Sequence, residues 1–410
     1  TTRGLWRSND EGRTWAQVMS ADRLHPEMVG STKQWWLWDA VPGSMPTGAS
    51  FVASQIIIDQ SDPKRVWIAG RSGVWTTADD GANWNPAVHG LGVTVNSDVV
   101  ADPKRPGRAY AANTDWVAFV TDDAMGNVMQ VPPDGSGSAG YGLGLDTSTS
   151  ATTSPVYLAS GNRDFNAEGE VYTSRDPAVA PWAPLGLRAA AAGKRPLAVA
   201  ARTVNGVTTV IAAVQQSGVW VKVGGNPWVH SASTGMVASA TEKEAGLRFS
   251  DDKVVYLNDI SGLWRSPDAG RTWTLIWTPP TYTKPLGPLS FEARNSNNMY
   301  IPTTRGLYHL QVTATTTGAR VYAQVPQIGS TTTPNVAAVV VAADGTVYAA
   351  TTPSTTRPAL LYRSTDGTTF AEVEDDFYRG AGMQPSAMSF TPDGTLLAAS
   401  VGQGIIRGAP

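Results

Sequence analysis

The chain has 410 residues, 41% of them hydrophobic and 16% charged, and a formal charge of −3. That balance excludes a disordered chain and leaves no electrostatic footprint for nucleic acid. Cysteine is absent, which excludes disulfides, thiolate zinc sites and a cysteine nucleophile without fixing the compartment.

No apolar run is long enough to span a bilayer, so no membrane partner is expected. The sequence opens on Thr1-Thr2-Arg3 without a signal peptide and reads as a mature or trimmed product, an opening compatible with secretion. Fifteen Trp and twelve Tyr against eight Phe favour amphipathic rings, which suit both a packed core and a sugar-stacking platform.

In chain order, Gly4–Val18 reads as two outer strands of a blade around Ser8-Asn9-Asp10-Glu11-Gly12-Arg13-Thr14-Trp15. The long insertion Met19–Ser50 follows, carrying Trp35-Trp36-Leu37-Trp38-Asp39; an insertion of this length on a repeat protein is usually functional. Trp35 and Trp36 are adjacent and cannot both face inward on a strand, so at least one is expected at the surface. Asp62-Pro63-Lys64-Arg65 and Asp102-Pro103-Lys104-Arg105 then mark tight turns at matching places in successive blades.

The opening element recurs. Gly73-Val74-Trp75 leads to Thr77-Ala78-Asp79-Asp80-Gly81-Ala82-Asn83-Trp84, Gly262–Trp273 repeats Gly4–Trp15 almost residue for residue, and Ser364–Phe370 is a shortened copy. Thr121-Asp122-Asp123 with Gly126, and Ser174-Arg175-Asp176 with Trp182, read as decayed copies. The steps Asp79 to Asp176, Asp176 to Asp268 and Asp268 to Asp366 are each between 90 and 100 residues, about twice the ~40–50 residues of a four-stranded blade. Blades without the motif are expected between them, at the alternating apolar strands Val207–Val223 and Gly306–Val312, and Gly394–Arg407 reads as inner strands.

These repeats resemble the Asp box, S-x-D-x-G-x-T-W, of sialidase-like propellers, in which Asp and Ser bond local backbone amides and Gly supplies a positive φ. The expected fold is therefore all-β, a seven-bladed β-propeller with Asp-box hairpins, or eight-bladed if the two termini pair to close it. The expected division is 1–50 as terminal strands plus the aromatic insertion, 51–383 as the propeller, and 384–410 as closing strands.

Several short stretches further resemble the endo-xyloglucanases and related glucanases of the family 74 glycoside hydrolases, whose two seven-bladed propellers face each other across a cleft. Trp36-Leu37-Trp38-Asp39, then Ile57-Ile58-Asp59-Gln60-Ser61-Asp62-Pro63-Lys64-Arg65-Val66-Trp67, are similar to that family's entry into its second propeller. Asn113-Thr114-Asp115-Trp116-Val117-Ala118-Phe119 stands where the family shows G-D-I-G-G-F, and Val401–Gly408 is similar to its closing T-N-G-R-G-I-I-Y-G. Val117-Ala118 replaces the Gly-Gly, and Gln60-Ser61 replaces Pro-Phe.

The resemblance implies an inverting hydrolase of a β-glucan such as xyloglucan, acting through one protonated and one ionised carboxyl group. Carried over by position, Asp115 is the cleft carboxylate, with Asp98 one strand earlier as the reserve. Trp35, Trp36, Trp38, Asp39 and Trp116 are the candidate sugar-binding residues. The expected partners are a polysaccharide or oligosaccharide and a second propeller domain or chain, in an extracellular setting. His25, His89, His230 and His309 are dispersed and show no ligand spacing, and no phosphate loop or dinucleotide fingerprint is present, so neither metal nor cofactor is expected. Two other readings are a non-catalytic glycan- or protein-binding propeller, and a lyase or exo-glycosidase confined to one propeller.

Overall fold

A computed structural model of the chain describes residues 5–18, 53–70, 73–86, 95–114, 116–126, 128–133, 139–162, 168–231, 245–250, 253–281, 283–292, 295–312, 319–324, 335–353, 358–373, 384–401 and 404–408. Contacts divide the chain into two units, Thr1–Val93 and Thr94–Pro410.

In the first unit Trp6–Arg7 pairs with Ala16–Gln17, and Ala53–Ile58, Val66–Gly70, Gly73–Thr77 and Asn85–Pro86 form a four-stranded antiparallel sheet. Trp75 and Trp84 are buried, and Trp84 donates its indole N–H to Val18 O at 2.7 Å. Ile56, Ile57 and Ile58 are each about half exposed. Successive strand residues point to opposite faces, so both faces of the strand Ala53–Ile58 carry exposed apolar surface.

Among the described residues the second unit holds seven antiparallel sheets, six of four strands and one of three, each a meander in chain order. The first comprises Asn96–Ala101, Ala109–Asn113, Val117–Thr121 and Met129–Gln130; the last comprises Gln384–Phe390, Leu396–Val401 and Ile405–Gly408. This is a β-propeller, and the sequence specifies it by burying both faces of its strands. Val255-Tyr256-Leu257 shows how: Val255 and Leu257 pack with Ile211 and Val221 of the preceding sheet, while Tyr256 packs with Met299 and Ile301 of the next. Strands buried on both sides read as continuous apolar runs, and a separate apolar cluster fills each gap between consecutive sheets.

The ring is closed by the same means. Val99, Ala101 and Ala109 of the first sheet pack against Ala387, Leu397 and Ala399 of the last. Ser389 Oγ accepts from Ala101 N at 3.0 Å, Ser386 Oγ donates to Asn96 O at 2.6 Å, and Val95 bridges Val401. The sequence-derived boundaries fell after residues 50 and 383, whereas the contacts divide the chain after Val93. The sheet at 53–86 lies in the first unit, and the strands at 384–408 form a sheet of the ring. Within that sheet Gln384–Phe390 takes the position of the inner strand, and the strands in Gly394–Arg407 lie outside it. Among the described residues the terminal strands pair within their own sheets, Trp6–Arg7 with Ala16–Gln17 and Ile405–Gly408 with Leu396–Val401.

The repeated Ser/Thr-x-Asp-x-Gly stretches fold into one kind of turn. At 266–273, Ser266 Oγ donates to Asp268 Oδ1 and accepts from Gly270 N, and Asp268 accepts from both the amide and the hydroxyl of Thr272. Residues 8–15 and 77–84 repeat this pattern. In the decayed copy the aspartate in register is Asp123, bonded by Thr121, which leaves Asp122 for an ion pair. Burial opposes the Asp268 charge, and the bonds from Thr272 and Ser266 outweigh it, holding the carboxyl below its ordinary value. At Asp10 the bonds from Thr14 and Ser8 lower it to about 2.

A group depressed in the folded state stabilises fully above its unfolded pKa, and that contribution is lost as pH falls through the folded value. Melting followed from about pH 5 down to about pH 2 is therefore expected to fall more steeply for the native chain than for Asp268→Asn. Parallel curves would contradict this.

Candidate functional site

The described residues of the turn joining Ala109–Asn113 to Val117–Thr121 are held by several hydrogen bonds. Asn113 lies directly across from Asn96 in the sheet and donates its side-chain N–H to Asn96 Oδ1 at 3.0 Å. Asn113 Oδ1 in turn accepts from Trp116 N at 2.8 Å. Thr114 N donates to Val95 O at 2.9 Å, Ser97 Oγ lies 3.3 Å from Thr114 Oγ1, and Gln130 Nε2 donates to Trp116 O at 3.3 Å.

Val117 is strained. Its φ is +68°, and Ala118 N donates to Trp116 O at 2.9 Å, the three-residue bond of a classic γ-turn, which is rare and strained. A β-branched residue at positive φ is a true outlier. Such strain costs of order 1–3 kcal/mol, and it persists only where the surroundings over-determine it, often at functional sites. Here the surroundings are the buried Asn96–Asn113 pair below and the second sheet beside it: a Cβ on Gly140 would lie 2.1 Å from Val117 O. Gly140→Ala is accordingly expected to cost about 1–3 kcal/mol by overpacking. A lowered melting temperature is the expected result; an unchanged melt would show that the approach is not tight.

Beside the turn stands a second polar group. Tyr141 follows Gly140, and the Arg195 guanidinium lies over its ring, 4.9 Å from the centroid. Arg195 Nη1 donates to Tyr141 Oη at 3.2 Å, and Nε and Nη2 both donate to Gln215 Oε1. Tyr141 Oη donates to Asn162 O at 3.2 Å. The result is a planar ring and a planar cation fixed against each other on the second and third sheets.

Of the residues singled out from the sequence, Asp115, Trp35, Trp36, Trp38 and Asp39 lie outside the described residues. Trp116 is half-buried in the braced turn. Asp98 shares its sheet but has another task. It is buried, with Oδ1 accepting from Val99 N and Oδ2 from Leu143 N, each at 2.9 Å, so it ties the first sheet to the second. Burial pushes its carboxyl above the ordinary range and Arg248 opposes that shift.

The sequence reading passed over Asn96, Asn113, Tyr141, Arg195 and Gln215. A signal was present in Gly140-Tyr141-Gly142-Leu143-Gly144: glycine at every second position of a strand marks a face on which another backbone approaches closely, and Cβ atoms at Gly142 and Gly144 would each lie 2.7 Å from a carbonyl of the third sheet. Among the described residues no cluster of His, Asp or Glu could hold a metal ion.

No protein-family model matches the chain, and no curated protein matches it by sequence. Solved structures do match in fold. The family 74 enzyme of Niastella koreensis is similar over 97% of this chain and 53% of its own, with 20% identity and a TM-score of 0.65. The family 74 xyloglucanase of Xanthomonas campestris is similar over 77% of this chain and 52% of its own, with 18% identity and a TM-score of 0.57. YCF48 from Cyanidioschyzon merolae is similar over 78% of this chain and 96% of its own, with 14% identity and a TM-score of 0.56. The chain thus spans about half the length of the two glycoside hydrolases, and at these identities the likeness establishes the β-propeller fold.

Proposed function

We propose that this chain is part of an extracellular glycoside hydrolase of the xyloglucan or β-glucan type, and that Asp115 is one of its two cleft carboxylates. The observation that carries the reading is the strained turn whose described residues flank Asp115. Asn96, Asn113, Ser97 and Gln130 hold that turn in a high-energy conformation, a pattern expected where a reacting group must be presented without reorganisation. In this reading the repeats are Asp boxes and serve as structural staples, and Trp116, with Trp35, Trp36, Trp38 and Asp39, contributes to sugar binding. A second propeller supplies the opposing carboxylate.

One observation favours a non-catalytic glycan- or protein-binding propeller instead. Asp98, the reserve carboxylate, is committed to two backbone amides, and inverting hydrolysis needs two carboxyl groups about 6.5–9.5 Å apart. Reducing-sugar release from xyloglucan and mixed-linkage β-glucan, measured beside binding to the same polymers, separates the two. Release supports the hydrolase; binding without release replaces it with the binding module.

A further inference from the structure

In the ring, an indole on one sheet bonds the carbonyl just past the outermost strand of the sheet before it: Trp182 Nε1 donates to Val131 O at 2.6 Å, and Trp228 Nε1 to Leu185 O at 2.9 Å. Trp84 Nε1 donates to Val18 O at 2.7 Å in the same way. Trp6–Arg7 and Ala16–Gln17 therefore stand to the sheet at 53–86 as the two outer strands of a ring sheet stand to the sheet that follows it. In the matching stretch of the ring, Gly262–Ser266 pairs on one edge with Thr274–Trp277 and on the other with Val255–Asp259. Among the described residues Trp6–Arg7 pairs with Ala16–Gln17 alone, and its other edge, where an inner strand stands in the ring, has no strand on it. The first strand of the sheet at 53–86 lacks the same neighbour. Asp59 N donates to Arg65 O as Asp102 N does to Arg108 O, which sets Ile56 and Ile58 level with Val99 and Ala101. Val99 and Ala101 are buried against the two inner strands of the sheet before them, whereas Ile56 and Ile58 are half exposed.

An unpaired strand edge beside an exposed aliphatic face is a template for strand addition, in which main-chain hydrogen bonds hold the added strand and alternate side chains select it. We infer that this edge and face dock the two inner strands of a propeller blade, an aliphatic β-hairpin whose second strand adds to the edge of Trp6–Arg7 and whose apolar face covers Ile56 and Ile58. The third sheet of the ring shows what such a hairpin is. Pro196–Val204 and Val207–Val214 are joined by Asn205-Gly206, both at positive φ as a two-residue hairpin turn requires, and they present Leu197, Ala200, Ile211 and Ala213 to the next sheet. Covering the two isoleucines removes their apolar surface from water, which favours the docked state. The inference rests on the strand pattern of residues 5–86 alone, so its failure leaves the glycan reading untouched.

A synthetic peptide with the sequence of residues 196–214 serves as the probe, and a scrambled peptide of the same composition as its control. Fluorescence anisotropy with the whole chain is expected to show saturable one-to-one binding of the hairpin peptide alone, and hydrogen exchange to show added protection at 5–7 and 53–58. Ile56→Asp combined with Ile58→Asp should weaken binding about tenfold or more. Ile57→Asp, on the other face of the strand, should leave it within a fewfold, and circular dichroism verifies that each variant is folded. Absence of saturable binding, equal binding of the scrambled peptide, equal affinity in the folded double variant, or protection confined to other residues would overturn the inference. So would a dimer of the chain alone, seen in sedimentation and dissolved by the two Asp substitutions, which would assign the face to a second copy.

Discussion

Asp115→Ala is expected to reduce reducing-sugar release from xyloglucan by about 10²–10⁴-fold, the range for removing a general acid or base. Asn113 is buried, pairs with Asn96 and orients Trp116 N; Thr114 is fixed to Val95; and Val117 takes up the strain at φ +68°. The described residues on either side of position 115 are thus held in place, as expected where a reacting group acts with little reorganisation on substrate binding. Asp115→Asn keeps the size of the side chain and removes its charge and proton chemistry. It should fall as far as Asp115→Ala in turnover while polysaccharide binding stays within a fewfold. Equal activity in the native chain and both variants would remove Asp115 from the mechanism, and a collapsed melting curve would show a structural role instead.

The largest stability effect is expected outside the site, at Arg108→Met. Arg108 is buried to 1% exposure and joins two consecutive sheets, pairing through Nη1 with Asp122 at 3.0 Å and through Nη2 with Asp176. Arg105 reinforces the same two carboxylates, at 2.9 Å to Asp122 and 3.0 Å to Asp176. Removing one partner of a buried pair typically costs about 3–5 kcal/mol because the other charge is left uncompensated. Here about 3 kcal/mol is expected, since Asp122 is largely exposed and Arg105 still faces both acids. Denaturant melts of Arg108→Met and Arg105→Met should differ, the half-exposed Arg105 being worth about 1 kcal/mol or less. Similar losses for the two would contradict the assignment of Arg108 as the buried link.

Much of the fold was legible because a propeller writes itself into sequence twice. Strands buried on both faces appear as short apolar runs such as Val255-Tyr256-Leu257, and the turns between outer strands reuse one hydrogen-bonding solution, so Ser8–Trp15 and Ser266–Trp273 look alike. The last sheet of the ring carries no such turn, and its place depends on Ala387, Leu397 and Ala399 meeting Val99, Ala101 and Ala109 across nearly 300 positions of chain. The candidate site stands in the sequence only as a position in a motif, and its Asp115 lies outside the described residues. Asp98 reads from the sequence as a free acid one strand away, yet its oxygens are taken by Val99 N and Leu143 N, an arrangement created by the neighbouring sheet. Along the chain Tyr141 lies 54 residues from Arg195 and Arg195 lies 20 from Gln215, and the three come together only in space.

Hydrogen exchange with and without a xyloglucan oligosaccharide tests the central claim, that the glycan-recognising surface is the one built around the braced turn. Added protection is expected in peptides covering 109–121 and 139–145. Protection confined to other parts of the chain, or none at saturating oligosaccharide, would contradict it.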